Sequence, residues 1–146
     1  MYCKYKMADT VSKIRRSEIM SSIKSSNTQP ELIVRKFLFN CGFRYSLNSH
    51  LPGKPDIKLA KYGVLIFVNG CFWHGHKNCN KYVMPKTNRK FWENKITRNV
   101  ERDKKTRALL RRNDWIVFTV WECQLKPKKR EKTLEKLLLN ILAISC

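Results

Sequence analysis

The chain of 146 residues is long enough for one domain with a sizeable core, and its 31 Lys and Arg against 11 Asp and Glu give a formal charge of +20. That excess fits a polyanionic partner such as nucleic acid, where each neutralised phosphate releases condensed counterions. It does not point to a membrane: the longest apolar runs are about five residues, far short of the roughly 20 that span a bilayer, and the N-terminus has no apolar signal-peptide core.

Residues 1–11 open the chain without periodicity and are expected to be a disordered segment ahead of a single domain over 12–146. Residues 12–25, with Ile14, Ile19, Met20 and Ile23 among Ser, Lys and Arg, read as a short, weakly amphipathic helix basic enough to lie on DNA; a solvated arm is the plainer reading. Asn27-Thr28-Gln29-Pro30-Glu31 is a firmer helix start, with a capping residue, a proline in the first turn and an acid where the helix dipole favours it. Leu32, Ile33, Phe37 and Leu38 supply its core face and Gly42 stops it.

Phe43 to Leu47 then reads as a first strand, Leu51-Pro52-Gly53-Lys54-Pro55 as a turn, and Asp56 to Leu59 as a second strand. Val64 to Val68, five apolar residues bounded by Gly63 and Asn69-Gly70, is a strand buried on both faces. After a polar loop, Thr87 or Asn88 caps the longest helix, roughly 88–112, with Phe91, Ile96, Val100 and Leu110 inward. A second face of that helix carries Trp92, Lys95, Asn99 and Asp103 at steps of three, four and four. Trp115 to Val120 is a last buried strand, and Leu134, Leu137, Leu138, Ile141 and Leu142 are the inward face of a closing helix. The order gives an α/β fold with helices flanking a mixed, four-stranded central sheet.

The chemistry concentrates after the central strand. Cys71, Phe72, Trp73, His74, His76 and Cys79 follow Gly70 within nine residues, and open α/β sheets place their sites at such strand ends. Without a secretory signal, six cysteines favour metal ligation over disulfides; Cys3, Cys41 and Cys146 have no partner pattern. Cys-x4-His-x2-Cys joined by the distant strand-end Cys123 suits a closed tetrahedral Zn²⁺ site, provided that the strands at 64–68 and 115–120 are parallel neighbours. The spacing is not a common finger pattern, and unpaired buried thiols are the alternative. Spacing alone leaves open whether His74 or His76 is the ligand. Pro55-Asp56 suggests the Mg²⁺-binding acid of the PD-(D/E)xK nucleases, although a lone Asp at a turn is more commonly a cap. The acid-x-Lys half of that signature is missing, since Val68-Asn69-Gly70 stands there, so His74 is the candidate assistant. Phe72 and Trp73, on a Gly-flanked loop, are candidates to stack on bases, with ordinary core the commoner place for aromatics. Lys95 and Asn99 beside Trp92 can contact base edges, the alternative being a solvated helix side with a partly buried Trp.

These stretches together resemble the Vsr family, the very short patch repair endonucleases, over about residues 7–123. The most specific are Leu51-Pro52-Gly53-Lys54-Pro55-Asp56, Gly70-Cys71-Phe72-Trp73-His74, Phe91-Trp92 with Lys95-Ile96, Asn99-Val100-Glu101-Arg102-Asp103, and Trp121-Glu122-Cys123. The resemblance implies a restriction-endonuclease-like core and a Mg²⁺-dependent nick 5′ of the thymine in a T:G mismatch left by deaminated 5-methylcytosine. By position, it makes Asp56 and the Val68 backbone carbonyl Mg²⁺ ligands, His74 the acid/base group oriented by Asp103, and Glu31 a support for the hydrated metal. It makes Cys71, His76, Cys79 and Cys123 the structural Zn²⁺ ligands. Phe72, Trp73 and Trp92 would wedge beside the mismatch, Lys95 and Asn99 would read its bases, and the helix of residues 12–25 with Met20 would approach the minor groove. Asn69 departs from the histidine that some members carry. A monomer in the bacterial cytoplasm at the nucleoid, followed by mismatch-repair factors and a repair polymerase, completes the expectation. Its rivals are a Vsr-like nuclease with a restriction or homing-type target and a zinc-stabilised, non-catalytic DNA-binding protein.

Overall fold

A computed structural model describes residues 12–22, 26–47 and 49–146. Helix α1 (Lys13–Ser22) stands where the weak amphipathic pattern put it, with Ile14 exposed. The expectation for residues 1–11, residues 23–25 and the side chain of Met20 lie outside the described residues. Helix α2 (Gln29–Asn40) begins as its sequence dictates: Thr28 is the N-cap, its hydroxyl accepting from the Glu31 amide, and Pro30 occupies the first turn. Strands β1 (Ile57–Leu59) and β2 (Val64–Asn69) follow, then helix α3 (Arg89–Arg112), strand β3 (Ile116–Trp121) and helix α4 (Pro127–Ile144).

The sheet has three strands in the order β1-β2-β3, with β1 antiparallel and β3 parallel to the central β2. The expected four-stranded sheet is therefore corrected. Residues 43–47 contribute only one bridge, in which Ser46 and Lys58 exchange amide-to-carbonyl bonds of 3.0 Å. The ladder ends there, because the Asp56 amide donates to the Ile66 carbonyl of β2 instead and β1 passes into a 3-10 turn at Ala60.

Alternation along β2 builds the sandwich. Val64, Ile66 and Val68 face a core shared with Val34 and Leu38 of α2 and Leu134, Leu137 and Ile141 of α4. Leu65 and Phe67 face the other side, packing with Leu110 of α3 and Val117 of β3. The reading of β2 as buried on both faces holds. That of the last strand as equally buried does not: β3 is the sheet edge, and Ile116 is exposed. Leu32, Phe91, Val100 and Leu142, expected inward, are also exposed, because each helix meets the sheet along a narrower stripe than its full apolar arc. Asn88 is the N-cap residue of α3, without a side-chain bond to it. The parallel β2–β3 pair, joined through α3, brings the strand ends at Asn69 and Trp121 side by side. No helix among the described residues is long and apolar enough to cross a membrane.

Candidate active site and metal centre

Cys71, His76, Cys79 and Cys123 each offer a ligand atom, and these atoms all lie within 4.8 Å of one another. Three follow β2 and the fourth follows β3, so the strand register assembles the group. The donor set suits a metal. A tetrahedral zinc with bonds of about 2.0–2.3 Å needs ligands nearly this close, and thiolates so near each other repel unless a cation lies between them. With no cation, burial pushes the Cys71 thiol up to about 12. Burial also raises Cys123, whereas the Lys81 amide donating to its sulfur at 3.5 Å lowers Cys79. His76 Nδ1 lies 3.4 Å from Cys123 Sγ, so His76 is the histidine that joins the cluster; His74 turns elsewhere.

Two neighbours of this cluster carried no role in the sequence reading. The His76 ring stacks on Trp121, centroids 4.1 Å apart and nearly coplanar. Glu122 accepts the Cys71 amide at 3.4 Å and pairs with Lys81. Their only sequence signal was adjacency to Cys123.

The Asp103 carboxylate accepts from His74 Nδ1–H at 2.5 Å. His74 stands at the wall of a cleft of about 780 Å³ that is also lined by Glu31, Asp56, Val68, Asn69 and Trp73, and Asp103 backs it from a smaller adjoining cleft. Asp56 lies just ahead of β1, and its carboxylate accepts the Val68 amide at 2.7 Å, which ties it to the central strand. Burial is the main force raising its pKa to about 6, and nearby Glu31 adds to the rise against the lowering pull of Val68, Arg35 and His74. Glu31 is itself held closely: Thr28, the Asn27 amide and Arg35 all donate to it, the last at 2.9 Å in a buried pair. Two carboxylates converging on one cleft in so basic a chain are the donor chemistry of a hydrated divalent cation. Asn69 is buried and lines the same cleft.

The face of α3 made by Trp92, Lys95, Asn99 and Asp103 docks onto the loop after β2. Trp92 meets Phe72 and Trp73 edge-on at 5.6 and 5.9 Å. Lys95 lies over the Trp73 ring, Asn99 donates to the Trp73 carbonyl at 3.1 Å, and Asp103 takes His74. Asn99 thus braces the loop, a task that the reading of it as a base contact did not contain. Gly75, at φ +62°, permits this approach: a Cβ there would stand 2.8 Å from Val100 and 3.1 Å from Ile96.

Lys54, Arg102 and Arg107 also line the clefts beside His74. The sequence reading gave them no role, although Arg102 and Thr106, like Asp103 and Arg107, stand four apart on α3. Cys41 and Cys146 are exposed free thiols far from this chemistry in the chain.

A strongly cationic α/β chain with a carboxylate and histidine cleft beside a partly exposed aromatic cluster has the constitution of a nuclease. The family model for the DNA mismatch endonuclease Vsr matches residues 8–81. The chain is 50% identical over 123 residues to the type II nicking enzyme V.NmeAIP of Neisseria meningitidis serogroup A, covering 84% of this chain and 87% of that one. It is 40% identical over 137 residues to the type II nicking enzyme V.XorIIP of Xanthomonas oryzae pv. oryzae, covering 93% and 98%. It is 38% identical over 125 residues to the DNA mismatch endonuclease Vsr of Escherichia coli K12, covering 85% and 80%. The chain belongs to the Vsr family and is an endodeoxyribonuclease.

Proposed function

We propose that this endonuclease nicks one strand of duplex DNA 5′ of the thymine in a T:G mismatch formed by deamination of 5-methylcytosine, with Mg²⁺ in the cleft and Zn²⁺ in the Cys/His cluster. The observation that carries the reading is the convergence of Asp56, Glu31 and His74, the last held by Asp103 from behind, on one cleft next to Trp73. Relatives named as nicking enzymes and as a mismatch endonuclease support both the single-strand outcome and the substrate. On this reading the three-stranded sheet is a short restriction-endonuclease-like core, with Asp56 as its signature acid and no acid-x-Lys partner.

Asp56, the Val68 carbonyl and, through water, Glu31 would hold Mg²⁺, which when bound polarises the phosphodiester and acidifies a water. Asp103 fixes the His74 ring through Nδ1, leaving Nε2 to exchange a proton in the cleft. Arg35 holds Glu31 in place through a buried pair at 2.9 Å. Phe72, Trp73 and Trp92 present aromatic edges and faces that wedge into the stack beside a weakly paired mismatch, with Lys95 held above them to meet the bases or backbone. Cys71, His76, Cys79 and Cys123 hold the zinc that fixes the start of this loop. The enzyme works as a monomer, its helix α1 lies against the duplex, and its nick is handed to mismatch-repair factors and a repair polymerase.

A denaturing-gel assay with Mg²⁺ tests the reading. One labelled duplex carries T:G within a cytosine-methylation motif and another its T:A counterpart. A single nick 5′ of the mismatched thymine, absent from the matched duplex, is expected. Equal cutting of both would overturn the mismatch assignment.

A further inference from the structure

A second cleft, of about 310 Å³, adjoins the first between the Gly53-Lys54 turn and α3, and the two share Lys54, Asn69, His74 and Arg102. It is lined by Lys54, Arg102 and Arg107 together with Thr106, Asn69 and the His74–Asp103 pair. Neither Asp56 nor Glu31 borders it, whereas His74 borders both clefts. Three cations face one carboxylate there, and that carboxylate is already engaged by His74 at 2.5 Å and by Arg102 at 3.5 Å. The cleft therefore carries a net positive field with hydroxyl and amide groups at hand, which is the chemistry of a phosphate site.

The turn that supplies Lys54 is built to hold it there. Gly53 and Lys54 both adopt left-handed backbone, at φ +75° and +49°, a conformation that a lysine adopts only where the surrounding structure imposes it. Gly53 packs so closely on α3 that a Cβ would lie 2.4 Å from the Thr106 methyl. Because Gly53 is pinned against the helix that carries Arg102 and Arg107, the left-handed turn fixes where the exposed Lys54 leaves the chain, at the rim of the same cleft.

We infer that this cleft binds the backbone phosphate next to the scissile one on the nicked strand, with Lys54 and Arg107 as its principal positioning residues. The inference rests on the nuclease reading above. The strand would then run from the aromatic cluster past Asp56 and His74 into this cleft, with the His74 ring between two successive phosphates.

Two measurements test it. The first is binding to a mismatched duplex across a salt series. Arg107→Gln and Lys54→Gln are each expected to lower the slope of log K against log salt by about 0.9, the signature of one lost phosphate contact. The second uses duplexes in which the phosphate immediately 5′ or 3′ of the scissile position is replaced by a neutral methylphosphonate. At one of the two positions the wild-type enzyme should bind about tenfold more weakly, the scale of one charge-assisted hydrogen bond, and Arg107→Gln should be indifferent to the same replacement. Unchanged salt slopes in both variants, or an Arg107→Gln variant as sensitive as wild type, would overturn the assignment. Because both readouts are of binding, failure to nick a T:G duplex would count against the proposed reaction and leave the phosphate site separately tested.

Discussion

His74 and Asp56 carry opposite problems. The histidine needs a fixed orientation, which Asp103 provides at 2.5 Å. Replacing Asp103 with Asn keeps the shape but favours the wrong imidazole tautomer, so single-turnover nicking should fall at least about 100-fold while binding of the mismatched duplex stays close to wild type. Loss of binding and rate together would make Asp103 a structural residue. Asp56 needs to be ionised in a place that disfavours charge. Its pKa of about 6 lies above the ordinary 3.8, so between these pH values the folded protein holds a proton that the unfolded chain releases. Stability contributed by this group therefore falls as pH rises through that window and stays reduced above it, by about 3 kcal/mol. Without added Mg²⁺, Asp56→Asn should be more stable than wild type at pH 8 in urea unfolding, and about half of that gain should disappear by pH 5. A destabilised Asp56→Asn at pH 8 would mean that the Val68 bond outweighs the burial of charge.

At the scale of elements, α3 does two things along its length. Near its C-terminal end Leu110 anchors it to Leu65 and Val117, and the stretch before that holds the loop after β2 through Trp92, Asn99 and Asp103. The other brace is the Cys/His cluster, which ties that loop to the segment after β3. Cys123→Ser should lose bound zinc by elemental analysis and lower the thermal midpoint, and nicking should fall with it because His74 lies between Cys71 and His76. A full zinc content in that variant would remove Cys123 from the ligand set. The expected strand at 43–47 was legible as apolar alternation, but one bridge is all that a three-residue neighbour can offer it. Periodicity states which residues can pair; it does not state how long the partner is.

On the proposed reading, the +20 charge sets how strongly DNA is held across the whole molecule, and the cleft and aromatics would set which DNA is cut. Matched and mismatched duplexes should therefore lose affinity together as salt rises from about 50 to 200 mM, with nearly parallel log–log slopes, while the ratio between them changes little. Competition binding at four or five salt concentrations measures both quantities. A ratio that collapses with salt would place mismatch preference in phosphate contacts and remove it from the wedge.

The residues alone determined the central strand, the helix starts at Thr28 and near Asn88, the basic character and the set of metal-ready side chains, because these depend on local pattern and on chemical type. The choice of His76 over His74 for the cluster was open to spacing. It followed in the structure from the direction in which each ring leaves a loop that α3 clamps at Asp103. The same holds for Lys54, Arg102 and Arg107, which are three cations among 31 in the sequence and become a site only when the Gly53-Lys54 turn packs on Thr106. Distances between segments far apart in the chain are set by packing of the sheet against its helices, and no local pattern records them.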